Sequence, residues 1–281
     1  MNERSQMVLK AFLSRCPAEK RASLERFLPE AEKVRLSTLP EFGEEITTDG
    51  FSNGNMLEQV HWSWFLPTLK TFSKREQGLF LSALSPLAAE QLAHALEISD
   101  PLEEISALAK TYLRSQLQNS LVGAHDQLLP VEYLPPSPLN QLLSLSKKEL
   151  SRLVDRLALY DVAAELRHIL ETKTLKKIFS CLTEEQAERV KWLSTQKEAH
   201  PLPRLGLDQW DGSEEMFRTL LHRRGLQRLA IALSGQDPDL IWTLSHHLDI
   251  GRGNALFKLC GREKVVGASE MIQREIEELI E

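Results

Sequence analysis

A short phrase, Leu-x-His-x-Leu followed by an acid, occurs three times in 281 residues. It reads Leu92-Ala-His94-Ala-Leu96-Glu97, then Leu166-Arg-His168-Ile-Leu170-Glu171, then Leu244-Ser-His246-His-Leu248-Asp249, with starts 74 and 78 residues apart. The approaches recur as well. Pro86 stands six residues before Leu92 and Pro238 six before Leu244, while Ser73-Lys-Arg-Glu76 and Ser146-Lys-Lys-Glu149 open the stretches before the first two copies. Punctuation shared at a long period marks a repeated helical unit. The pattern therefore predicts helix pairs, an architecture that more often binds partners than transforms substrates.

Local signals place the elements. Over 5–28 the apolar positions Met7, Val8, Ala11, Phe12, Ala22, Leu24, Phe27 and Leu28 predict a helical hairpin, with Pro17 suited to the first turn of its second helix. Turn-forming residues from Ser37 to Asn55, among them Pro40, Gly43, Gly50 and Gly54, end that pattern and set residues 1–60 apart. Helices follow at about 73–84, 86–97 and 101–121. The last is opened by Asp100 as N-cap, Pro101, and Glu103 and Glu104 where the helix dipole favours acids.

Leu129 to Pro138 carries four prolines, which remove donors and restrict the residues before them. Residues 129–140 thus read as a linker between a first helical half, 61–128, and a second, 141–281. In the second half the expected helices are 146–159, 161–171, 173–181 and 184–197, the last with Thr183 and Gln186 as a capping box. Ser213 caps another, and more follow at 222–234, 238–248 and 252–260. At 266–280, Ala268, Ile272, Ile276, Leu279 and Ile280 form one apolar stripe. No alternating strand of useful length appears, so the expected class is all-α, with helix pairs packed into an irregular solenoid or bundle.

The net charge of −6 argues against a nucleic-acid binder. Cys16, Cys181 and Cys260 are odd in number and far apart, which suggests neither a disulfide framework nor a zinc knuckle and fits a reducing compartment. No stretch of about 18 apolar residues exists to cross a bilayer. The expectation is a cytoplasmic protein that reaches a membrane only through partners.

Catalytic readings are thin. His94, His168 and His246 lie one repeat apart, too far for one ion, and suit helix ends, where the dipole welcomes positive charge. His125-Asp126, with His94 upstream and Asp155 or Asp161 downstream, loosely follows the ligand order of the HD metal-dependent phosphohydrolases. That site needs the pair held rigidly on a helix, whereas here it lies between Gly123 and Pro130. No GxSxG elbow is present, and Gly251-Arg-Gly253 is too short for a phosphate loop and suits a helix cap instead. Neither cofactor nor metal is expected, nor enzymatic activity.

The stronger candidate is basic. His222, Arg223, Arg224 and Arg228, joined by Arg218 and Arg252, would present guanidinium groups to a carboxylate-rich partner. The competing reading pairs them with Glu214, Glu215, Asp237 and Asp239. Trp62, Trp64 and Phe65 pose the same choice between interface hot spot and plug between helices. Trp192, Trp210 and Trp242 are expected in the core.

Two sets of residues carry a resemblance. Leu84-Ser-Pro-Leu-Ala-Ala-Glu-Gln-Leu92 and Cys181-Leu-Thr-Glu-Glu-Gln-Ala-Glu-Arg-Val190 resemble the helical repeats of the flagellar switch protein FliG. Leu205 to Leu259, with Trp210-Asp-Gly212, Leu221-His-Arg-Arg-Gly225 and Leu229-Ala-Ile-Ala-Leu-Ser-Gly235, is similar to a chlamydial type III secretion component, functionally nearest to the SctK sorting-platform adaptors. The resemblance covers about the last two thirds of the chain. It implies a non-enzymatic, helical adaptor at the cytoplasmic face of the secretion apparatus, bridging the SctD cytoplasmic domain to SctQ and the SctL–ATPase complex, with no catalytic residues to carry over. A secretion chaperone that holds effectors between helix pairs is the related alternative.

Overall fold

A computed structural model describes residues 3–14, 16–39, 56–99, 103–122, 128, 134–196, 202–207, 210–261 and 267–280. Among them every regular element is helical and none is a strand, so the fold is all-α. The helices are α1 (Glu3–Ser14), α2 (Ala18–Glu25), α3 (Glu30–Thr38), α4 (Met56–Gln59), α5 (Leu66–Leu69), α6 (Lys74–Ser82), α7 (Pro86–Leu96), α8 (Ala107–Val122), α9 (Lys147–Leu166) and α10 (Thr172–Ser180), then α11 (Glu184–Thr195), α12 (Glu214–Ala232), α13 (Pro238–His247), α14 (Ile250–Cys260) and α15 (Ala268–Ile280). They form two compact units. The first comprises Met1–Leu143 with Asp237–Ile250, and the second Ser144–Gln236 with Gly251–Glu281. The division thus falls just after the proline-rich stretch, where Pro138–Ser144 is a 3-10 helix with Leu139 and Leu142 buried. Contrary to the expectation from sequence, the later half is not continuous, since the segment with α13 belongs to the first unit.

Local signals fare well where a polar side chain satisfies a helix-end donor. Ser73, Ser146 and Thr183 each form a full capping box, with Glu76, Glu149 and Gln186 respectively, and the Ser213 hydroxyl accepts from the Met216 N–H. The hydroxyls and N–H groups of Ser73 and Ser146 draw the carboxyls of Glu76 and Glu149 below their ordinary pKa of 4.5. A depressed folded-state pKa gives stability that is complete above the unfolded value and lost as pH falls through the folded one. The urea midpoint should therefore drop below about pH 4.5. A Glu76→Gln and Glu149→Gln variant should drop less steeply; an unchanged slope would show that these caps do not drive the acid response.

Other boundaries move for identifiable reasons. An unpredicted helix, α3, follows Pro29, with Glu30 and Glu32 in its first turn and Arg35 in its last. Glu103 to Ser106 are irregular, and α8 starts at Ala107 because the Ser106 hydroxyl accepts from the Ala109 N–H; Asp100 and Pro101 lie outside the described residues. Helices expected at 146–159 and 161–171 are one helix, α9, through Asp161. Likewise α12 runs from the Ser213 cap through Gly225, and Gly251 and Gly253 lie inside α14 rather than capping it.

The repeated phrase marks helix ends but not equivalent packing. Leu96 and Leu248 are buried, whereas Leu170 is 95% exposed. His94 and His168 are exposed, whereas His246 is buried. In the first unit, the His246 ring is sandwiched between Trp64 and Trp242, at centroid distances of 4.0 and 3.7 Å, and its Nδ1 donates to the Trp242 carbonyl. Trp64 Nε1 donates to the Leu248 carbonyl, the His61 N–H to the His246 carbonyl, and the Ile250 N–H to the Ser63 hydroxyl. These bonds stitch the 61–65 turn to the returning segment and explain why that segment counts with the first unit.

In the second unit α12 packs along α9, α11 also packs against α9, and α15 packs against both α9 and α12. The close approach of α9 and α12 requires a residue without a side chain: a Cβ on Gly225 would lie 1.8 Å from the Val154 carbonyl oxygen. Around this contact Leu157, Ala158, Leu159, Val162, Phe217 and Leu221 fill the core.

Candidate binding site

The basic residues divide into an interior set and a surface set. Arg224 and Arg228, four apart on α12, face Asp161 and Glu165, four apart on α9, and all four are buried. Arg228 Nη1 donates to Asp161 at 2.9 Å, its Nη2 reaches Glu275 of α15, and its guanidinium lies 5.1 Å from the Tyr160 ring centre. Arg224 Nε is 3.7 Å from Asp161, and its Nη2 donates to the Pro203 carbonyl at 2.9 Å. Glu165 accepts from Arg204 at 2.8 Å and from the Leu205 N–H at 3.1 Å. Arg224 and Arg228 from the interior and the half-exposed Arg204 thus meet Asp161, Glu165 and Glu275.

Burial pulls the Arg224 pKa down against the pull of Asp161 in the other direction, and burial pushes the Tyr160 hydroxyl up to about 12. Arg224 and Arg228 are therefore interior ion-pair residues, not a partner surface. Their acids come from α9 and α15, not from Glu214, Glu215, Asp237 or Asp239. Arg228 divides its two terminal nitrogens between two carboxylates, and these partners are sequence-distant and invisible to a local reading.

The remaining four, Arg218, His222, Arg223 and Arg252, line one cavity of about 830 Å³, entirely within the second unit. Arg218, His222 and Arg223 come from α12, on turns spaced so that 218/222 and 219/223/226 share a face. Arg252 comes from α14, together with Lys258, a cation that no sequence pattern singled out. Their floor is apolar: Leu221, Leu226, Ala255 and Leu259. Of the charged lining among the described residues only Asp155 is acidic, and its carboxylate accepts from His222 Nδ1 at 3.0 Å. Arg218 is 72% exposed and pairs with Glu214. Arg252 donates to the Ser151 hydroxyl at 2.8 Å. The lone signal for Lys258 in sequence was its place on the same helical face as Gly251 and Ala255.

Cys181 lines the same cavity. The other two thiols are held back, Cys16 by near-complete burial and Cys260 by burial that pushes its pKa up to about 12. A neutral-pH thiol reagent should therefore report on the cavity through Cys181.

The tryptophans resolve differently from one another. Trp64 is committed to the stack and hydrogen bond described above, and Trp62 is half-buried with its ring 5.3 Å from His61. Trp64 thus belongs to packing in the first unit. Trp210 packs on Phe217 and Trp242 is buried, as expected for core. Trp192 is not core: it is 48% exposed, with the Arg189 guanidinium 4.4 Å over its ring.

His125 and Asp126 lie outside the described residues. Of the acids proposed to join them, Asp155 is engaged by His222 and Asp161 by Arg228. Among the described residues no group of three or more His, Cys, Asp and Glu side chains is placed to hold a metal, and no helix is long and apolar enough to cross a membrane. Comparison with protein-family models, curated proteins and solved structures returns no match.

Proposed function

We propose that the chain is a non-enzymatic helical adaptor that holds an acidic partner at the basic cavity between α12 and α14. The observation that carries this reading is the convergence of Arg218, His222, Arg223 and Arg252, chosen from sequence, with Lys258 around a single cavity, in a chain whose net charge is −6. A cationic site on an anionic protein is a local feature, not a reflection of composition. Such a field steers acidic partners and fixes their orientation. The resemblance of Leu205 to Leu259 to type III secretion components supplies the proposed setting: a sorting-platform adaptor at the cytoplasmic face of the apparatus, bridging the SctD cytoplasmic domain to SctQ and the SctL–ATPase complex.

Arg218→Glu with Arg223→Glu should reduce recovery of those partners in a pull-down by about tenfold or more, as expected for inverted charges at close range, and leave the thermal unfolding transition unchanged because both side chains are exposed. Equal recovery with the variant would remove the cavity from the account; recovery of none of these proteins with the wild type would remove the secretion setting.

A further inference from the structure

The lining of the cavity says more about its occupant than that it is acidic. Taking the cavity as the binding surface, as proposed above, we infer that it holds an extended or helical peptide segment that alternates carboxylates with aliphatic side chains, contributed by a partner protein. Three features select that chemistry.

The first is the distribution of cations. Arg223 and Lys258 have no ion-pair partner among the described residues, whereas Arg252 is engaged in part by the Ser151 hydroxyl and His222 by Asp155. The uncompensated charge therefore comes from two helices, α12 and α14, rather than from one point. Several separated carboxylates match it better than one compact anion, which would leave one of the helices unserved. The second is the floor. Leu221, Leu226, Ala255 and Leu259 form an apolar base beneath the charged rim, and an occupant with no aliphatic side chain would leave that surface wet. The third is what the cavity lacks among its described residues. It has no aromatic side chain on which a base could stack. It also has no glycine-rich turn to aim backbone donors at a phosphate: Gly251, its one glycine, lies within α14. At about 830 Å³ its size falls in the range of sites that enclose a ligand of several side chains.

The test is titration of the full chain with three fluorescent peptides and a competitor: a peptide alternating Glu and Leu, the same peptide with Gln for Glu, the same with Ser for Leu, and inorganic phosphate to compete. Cys181 supplies a second readout, since an occupant should slow its modification by a maleimide. The Glu–Leu peptide should bind saturably, shield Cys181 and weaken with added salt. Both altered peptides should bind at least tenfold more weakly, and Arg223→Glu with Lys258→Glu should abolish the salt-sensitive part.

Binding of the Ser-for-Leu peptide as tight as the original, or displacement by millimolar phosphate, would overturn the inference in favour of a simple anion site. Absence of binding and of Cys181 shielding by every probe would overturn it outright. The two proposals fail separately. Peptide binding without recovery of secretion proteins removes the setting but keeps the chemistry, and recovery that Arg223→Glu with Lys258→Glu leaves untouched does the reverse.

Discussion

Gly225→Ala should lower the stability of the protein by about 3 kcal/mol or more, a large change for a single methyl group. Two effects oppose each other. Alanine is the better helix former by about 1 kcal/mol, so in an open helix the substitution would stabilise. Here the new methyl would meet the Val154 carbonyl oxygen at 1.8 Å, a backbone atom that no rotamer change can move aside. α9 and α12 would have to separate by more than about an ångström along a contact that organises the second unit's core, and dense interiors resist such shifts.

The clash wins, and thermal unfolding followed by circular dichroism should show a fall in Tm of roughly 10 °C. Gly78→Ala is the matched control. Gly78 lies inside α6 with nothing within 4 Å of its would-be Cβ, so the same change should raise stability by about 0.4–1 kcal/mol. Equal effects at the two positions would mean that the interhelical contact is not as close as described.

Arg228→Met should cost about 3–5 kcal/mol, because it takes from the buried carboxylates of Asp161 and Glu275 the counter-ion they share. The loss of the pairs themselves is the smaller part, since a buried ion pair barely repays its own desolvation. The test of that claim is non-additivity. Arg228→Met combined with Glu275→Leu should be less destabilised than Arg228→Met alone: the buried acid on α15 that faced Arg228 is gone, and Asp161 retains Arg224. A double variant worse than the single one would show instead that the network's direct bonds carry the stability. Urea unfolding at constant pH measures both.

How much of this was legible in the sequence depends on whether a signal is local. Ser73, Ser146, Thr183 and Ser213 act within one helical turn, and each cap was readable from its own neighbours. The boundary expected between 146–159 and 161–171 fails for the same reason: a polar Asp161 in the middle of an apolar run looks like a helix start until Arg228, 67 positions later, is known to meet it. Gly225 carries no local signal of its role, because the backbone it must accommodate is on α9. The basic residues of 218–228 stand together in sequence. Whether a given one faces the cavity or the interior is set by which side of α12 meets α9, and α12 carries apolar residues around much of its circumference. Trp192 shows the converse. Its surroundings in sequence look like core, yet it is about half exposed, with the Arg189 guanidinium over its ring.

The return of Asp237–Ile250 to the first unit has a consequence for how the chain is made. A ribosome delivers residues in order, at about 5–20 per second, and most domains condense as soon as they emerge. Here the partner of Trp64 is His246, on a segment synthesised on the order of 10 seconds or more after the first piece of the unit is complete. During that interval the indole has neither its stacking ring nor the Leu248 carbonyl, and the nascent unit exposes an apolar face that chaperones or wrong partners can find. The same dependence makes a fragment ending at residue 143 an incomplete body, however natural the proline-rich stretch looks as a place to cut.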